Sequence, residues 1–150
     1  MRRFARDISG GAAVEAGIIL PVLILLGFGA VDASLLYQQT HRMEAGLTAG
    51  GSYLAASAAS TAEQAAARQI AVSGSAVPGA PTRIDGWSAG DVSIAIRTQH
   101  EDDTTSYRNA GKVRIARLSA SIPFEGIGLL KGVSGGTLEV RGDYETRLSQ

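Results

Sequence analysis

Glu15 stands at the inner edge of an apolar run that continues from Ala16 to Val31 without a charge. An ionised carboxylate there is costly without a partner, so an acid in such a segment reads as functional until its partner is named. The other candidates for chemistry are weaker. His100-Glu101-Asp102-Asp103 offers adjacent oxygen ligands of the kind that suit Ca²⁺, but the spacing fits no alternating calcium loop. A solvated hairpin tip accounts for that cluster. His41 and His100 are the two histidines and there is no cysteine, so neither a zinc site nor a thiol nucleophile is supported. Arg141-Gly142-Asp143 spells a cell-adhesion tripeptide, yet it falls in a predicted strand, where its glycine reads as a bulge. Neither a Gly-Lys-Ser/Thr phosphate loop nor a nucleophile elbow occurs. The expectation is a non-catalytic protein with no cofactor and no small-molecule substrate. A formal net charge of zero, with no basic run, argues against a nucleic-acid partner.

The elements that would position Glu15 follow from hydropathy. Arg2, Arg3 and Arg6 precede the apolar run, and only Arg42 follows it closely. By the positive-inside rule the N-terminus is cytoplasmic and the remainder of the chain lies outside the cytoplasm. With the flanks Ala12 to Val14 and Ala33 to Tyr37 the span is about 26 residues, or about 39 Å of helix, against a hydrocarbon core of about 30 Å. Pro21, one turn after Gly17, removes a backbone donor and is a place for a kink. Gly27 and Gly29 are read as a flat surface for a partner helix. Asp32 falls near the outer interface, where its cost is small.

Beyond the membrane the helical period persists. Leu36, Met43, Leu47, Leu54, Ala58, Ala65 and Val72 form one stripe. Gly46, Gly50 and Gly51 oppose helix, each by about 1 kcal/mol relative to Ala, and a bend or break is expected near Gly50-Gly51. Gly74, Pro78, Gly79 and Pro81 end the segment. After Pro81 the period changes to two, over Asp91–Arg97, Lys112–Ile122 and Gly136–Tyr144. Three strands with one apolar face each predict a small antiparallel sheet, covered by the long helix: an α+β fold. The expected organisation is a leader at 1–10, a transmembrane helix at 11–37, an amphipathic helical stalk at 38–73, a loop at 74–90, and the sheet domain at 91–150.

The string Gly10-Gly11-Ala12-Ala13-Val14-Glu15-Ala16-Gly17-Ile18-Ile19-Leu20-Pro21, behind a basic leader, resembles a prepilin processing site and, more closely, the TadE-like family of the tight-adherence (Tad/Flp) pilus machinery. The resemblance is specific over roughly residues 6 to 37. It implies a minor pseudopilin, cut by a prepilin peptidase between Gly10 and Gly11. Glycine before the cut suits a peptidase that needs an extended backbone of little bulk. Glu15 then becomes the fifth residue, and the resemblance implies that it meets the free α-amino group of a neighbouring subunit, setting axial register. Ala16 stands where the family commonly has an aromatic residue.

The partners so implied are the prepilin peptidase, the other pseudopilins and major pilin of the system, the inner-membrane assembly platform and the lipid bilayer. The implied location is a bacterial inner membrane, single-pass, with the C-terminal domain periplasmic and incorporation in the pilus left open. Two other classes fit the same topology: an uncut, signal-anchored scaffold of a secretion apparatus, and a secreted adhesin-like module.

Overall fold

The computed structural model describes residues 9–100, 112–128, 130, 132 and 135–148. One helix, α1 (Ser9–Ala55), runs unbroken through 47 residues, about 70 Å at the usual rise. It passes through Pro21 without losing its helical conformation. A turn at 56–60 reverses the chain into α2 (Thr61–Ser73), which packs back against α1. A connecting segment carrying a short 3-10 turn (Ala89–Asp91) leads to three strands, β1 (Val92–His100), β2 (Lys112–Pro123) and β3 (Glu139–Arg147). They form one antiparallel sheet in the order β1-β2-β3.

The alternation read from the sequence sets the sheet's two faces. Ile94, Leu118 and Tyr144 are cross-strand partners, as are Val92, Ala120 and Gly142, and all of these face the helices. Ser93, Ser119 and Asp143 form the next row and point to solvent. α1 lays Met43, Leu47 and Leu54, each fully buried, on the inward face. α2 adds Ala67, Ala71 and Val72, and the connection adds Ile84 and Trp87. This is the α+β arrangement expected from the sequence.

The helix does not break at Gly50-Gly51. A Cβ on Gly46 would collide with the Ala71 carbonyl oxygen and lie 2.9 Å from the Trp87 ring; one on Gly50 would lie 2.6 Å from the Ala67 carbonyl oxygen. Gly46 and Gly50, one turn apart, therefore face Ala71 and Ala67, also one turn apart, and let the two backbones approach closely. Gly51 makes the same allowance for the Tyr144 ring, 2.5 Å from where a Cβ would sit. Packing outweighs the intrinsic cost of glycine in a helix, which is about 1 kcal/mol at each position.

The break comes five residues later, and local chemistry fixes it. Ser60 caps α2: the Glu63 N–H donates to the Ser60 hydroxyl at 3.4 Å, and the Ser60 N–H donates to the Glu63 carboxylate at 2.7 Å. The Ser60 backbone N–H foremost, and then the Ser60 side chain, hold the Glu63 carboxyl below its ordinary pKa by hydrogen bonding to it. At the far end Gly74 takes a left-handed conformation (φ 81°) and its N–H closes on the Ile70 carbonyl at 2.7 Å. The predicted apolar stripe consequently ends at Leu54. Ala58 and Ala65 are exposed because the chain has reversed, and Val72 is buried through the return helix instead.

Candidate functional site

α1 has two environments along one axis. From Gly11 to Val31 every residue is exposed except Gly29, which is half-buried. This segment contains Ile18, Leu20, Leu23, Leu25 and Leu26, all more than half exposed. Twenty-one residues of helix span about 31 Å, close to the hydrocarbon thickness of a bilayer. The segment is long and apolar enough to cross a membrane, with a mean hydropathy of 2.3 over its most apolar window.

Gly10 and Gly11 lie at the start of the described part of α1. Glu15 is one turn further in, exposed on the helix surface. The leader residues 1–8 lie outside the described residues, as do Glu101, Asp102 and Asp103 of the candidate calcium cluster. Among the described residues no group of three His, Asp or Glu side chains converges to hold a metal.

Gly27 and Gly29 do not form one flat surface. Two residues apart on a helix, they point about 200° away from each other. Gly29 shares a face with Asp32, Leu36 and Met43, which turns toward the domain. Gly27 is on the outer side, where a Cβ would meet nothing within 4 Å, as is also true of Gly17.

Asp32 departs furthest from its sequence reading. It is fully buried, where the sequence reading put it at the outer interface at small cost. Its carboxylate accepts hydrogen bonds from the backbone N–H of Ile127 at 2.6 Å (Oδ1) and of Leu130 at 3.1 Å (Oδ2). The loop between β2 and β3 therefore closes on the helix where the apolar span ends. Gly126 makes room: a Cβ there would lie 2.6 Å from both the Asp32 Oδ1 and the Phe124 ring. Charge-assisted bonds to backbone N–H groups compensate a buried carboxylate. Two signals in the sequence bear on this: an acid at the end of an apolar helix needs donors, and Gly126 permits the close approach.

The outer face of the sheet is a ladder of charges. Arg117 reaches Asp143 at 3.4 Å and Glu145 at 3.7 Å, and Arg141 pairs with Glu139 at 2.7 Å. The Arg141 hydrogen bond, then that of Ser121, holds the Glu139 carboxyl below its usual range. Arg141 and Asp143 thus have partners on the sheet, and the tripeptide lies flat in β3 with continuous register from Glu139 to Arg147. There is no bulge. Gly142 faces inward, where a Cβ would come within 3.1 Å of Leu47 and 3.2 Å of Met43.

Residues 10–52 match the sequence model of the family described as TadE-like protein. The match begins and ends within α1 and takes in none of the sheet. The TadE-like family is a family of pilus components. No curated protein and no solved structure matches the chain.

Proposed function

We propose that this chain, TadE-like over its anchor helix, is a minor pseudopilin that takes part in assembling or priming a tight-adherence pilus, and does so without catalysis. The observation that carries the reading is the coincidence of the family match with α1, which holds both the exposed apolar span and Glu15. In this reading a prepilin peptidase cuts between Gly10 and Gly11 on the cytoplasmic side. The new α-amino group at Gly11 is about 6 Å along the axis from Glu15. A parallel neighbour displaced by a similar step brings its amino group to this carboxylate. Each charge then offsets the desolvation of the other, and the pair fixes stagger. Gly17 and Gly27, open on the outer side of the helix, let a partner helix come close. Pilins, fellow pseudopilins and the inner-membrane platform are the partners, and the sheet domain is held outside the cytoplasm.

N-terminal sequencing and intact mass, on protein recovered from cells carrying the complete pilus gene set, test the reading. A start at Gly11 in the membrane or sheared-fibre fraction is expected. A start at Met1 makes the chain an uncut anchor, and a soluble fragment beginning near Ser34 overturns the pseudopilin assignment. With Glu15→Ala, piliation should fall while processing continues; normal pili would remove the register role.

A further inference from the structure

Asp32 and the β2–β3 loop give the domain more than an internal tie. Asp32 directly follows the exposed apolar span, and the Ile127 N–H is 2.6 Å from its carboxylate. The backbone of Ile127 is thereby fixed at the level where the span ends. Its side chain is not used by the core: Ile127 is 58 % exposed, while Phe124, three residues earlier, is 6 % exposed and buried in that core. Outside the span, the other exposed large aliphatic side chain among the described residues is Val77, on the connection that follows α2.

We propose that this loop is a second membrane contact, in which Ile127 enters the outer interfacial layer of the bilayer that α1 crosses. The inference rests on residues 11–31 being the membrane span. The interfacial layer adds roughly 5–7 Å on each side of the hydrocarbon core, and Asp32 stands one residue beyond the span. A side chain anchored beside residue 32 and turned away from the core is therefore within reach of lipid. The occupant is lipid rather than a second protein because Ile127 is tied beside Asp32, directly after the exposed apolar residues that end at Val31. Asp32 suits this boundary because two backbone donors satisfy its carboxylate in place of water. With two contacts, helix and loop, the domain is fixed in azimuth and tilt relative to the membrane, where a helix alone would let it rotate.

The chain has no cysteine, so single-cysteine labelling needs no background removal. Three full-length variants, Ile127→Cys, Leu23→Cys and Ala58→Cys, are labelled with an environment-sensitive fluorophore. They are reconstituted in phosphatidylcholine/phosphatidylglycerol vesicles with or without nitroxide lipids. Leu23 is inside the span; Ala58 is exposed in the turn that follows α1, whose end is about 35 Å along the axis from residue 32. Nitroxide lipids should quench the label at 127 at least twofold more than at 58, and iodide should quench it less. Iodide quenching at 127 equal to that at 58, with 23 still lipid-quenched, overturns the loop contact and leaves the span intact. Escape of 23 from the lipid quencher overturns the span itself. Shielding of 127 from both quenchers overturns the lipid contact in favour of protein cover. Adding Asp32→Ala to the 127 variant should move its quenching toward the value at 58; unchanged lipid quenching would remove Asp32 as the tie.

Discussion

The two ends of α1 use the same residue types for opposite purposes. Below Asp32, Gly17 and Gly27 have no neighbour within 4 Å, and large aliphatic side chains face outward. Above Asp32, the space beside Gly46, Gly50 and Gly51 is filled by the Ala71 and Ala67 carbonyls and the Tyr144 ring, and Met43 and Leu47 are fully buried. One continuous helix thus has two environments. Its lower half leaves apolar side chains exposed, and its upper half packs on the chain's own return helix and sheet. Helix propensity does not distinguish the halves. What differs is whether the space beside each residue is occupied.

Substitution at the glycines breaks that comparison most sharply. Gly50→Val must separate α1 from α2, since the atom it meets is a backbone carbonyl, and we expect a loss of about 3 kcal/mol or more. Trp87, the sole tryptophan, is buried over Gly46, so its fluorescence in denaturant titrations of the detergent-solubilised chain reports the loss directly. Gly17→Ala and Gly27→Ala should cause no loss in the same titration, because a Cβ there meets nothing and alanine favours helix by up to about 1 kcal/mol. A comparable destabilisation from either half would mean that the halves are not energetically separate.

Asp32→Ala tests the border between them. It leaves the Ile127 and Leu130 N–H groups without their acceptor, at a cost of about 1–3 kcal/mol. Hydrogen exchange should accelerate at 126–130 before it does so in β2. Unchanged protection in that loop would show that the carboxylate does not hold it.

The smallest effects concern the return helix. Ser60→Ala removes one half of the capping box and should cost about 1 kcal/mol. The pH dependence follows in sign: Glu63 and Glu139 are both held below the reference value of 4.5. Their contribution is present above that value and is lost as pH falls through the lowered folded-state pKa. Stability should therefore be flat from pH 7 down to about 5 on their account and decline below 4.5. Glu63→Gln should shrink that decline, which denaturant midpoints at pH 7 and pH 3.5 would measure.

Much of the architecture was legible because its signals are local. The apolar run of α1 and the two-residue period of the strands are properties of adjacent residues, and they gave both element type and inward face. The return of the chain at 56–60 was written in the Ser60–Glu63 capping pattern, but the glycines at 46, 50 and 51 were the louder signal and pointed to the wrong place. Their meaning depended on what stood opposite them. The same holds for Gly142, where a bulge was expected and the register is continuous because α1 comes close. Gly27 and Gly29 were read together from their nearness in sequence, whereas the helical period separates them.

The sequence by itself determined that an apolar helix long enough to cross a membrane precedes a three-stranded sheet. It also placed Gly10, Gly11 and Glu15 together at the start of that helix. Only the tertiary structure decided where the free helix ends and the domain begins. That border is drawn by Asp32 with donors 95 and 98 residues away in the chain. No periodicity reports contacts at such separation, because they arise from the closure of the whole sheet against the helix and not from the preferences of neighbouring residues.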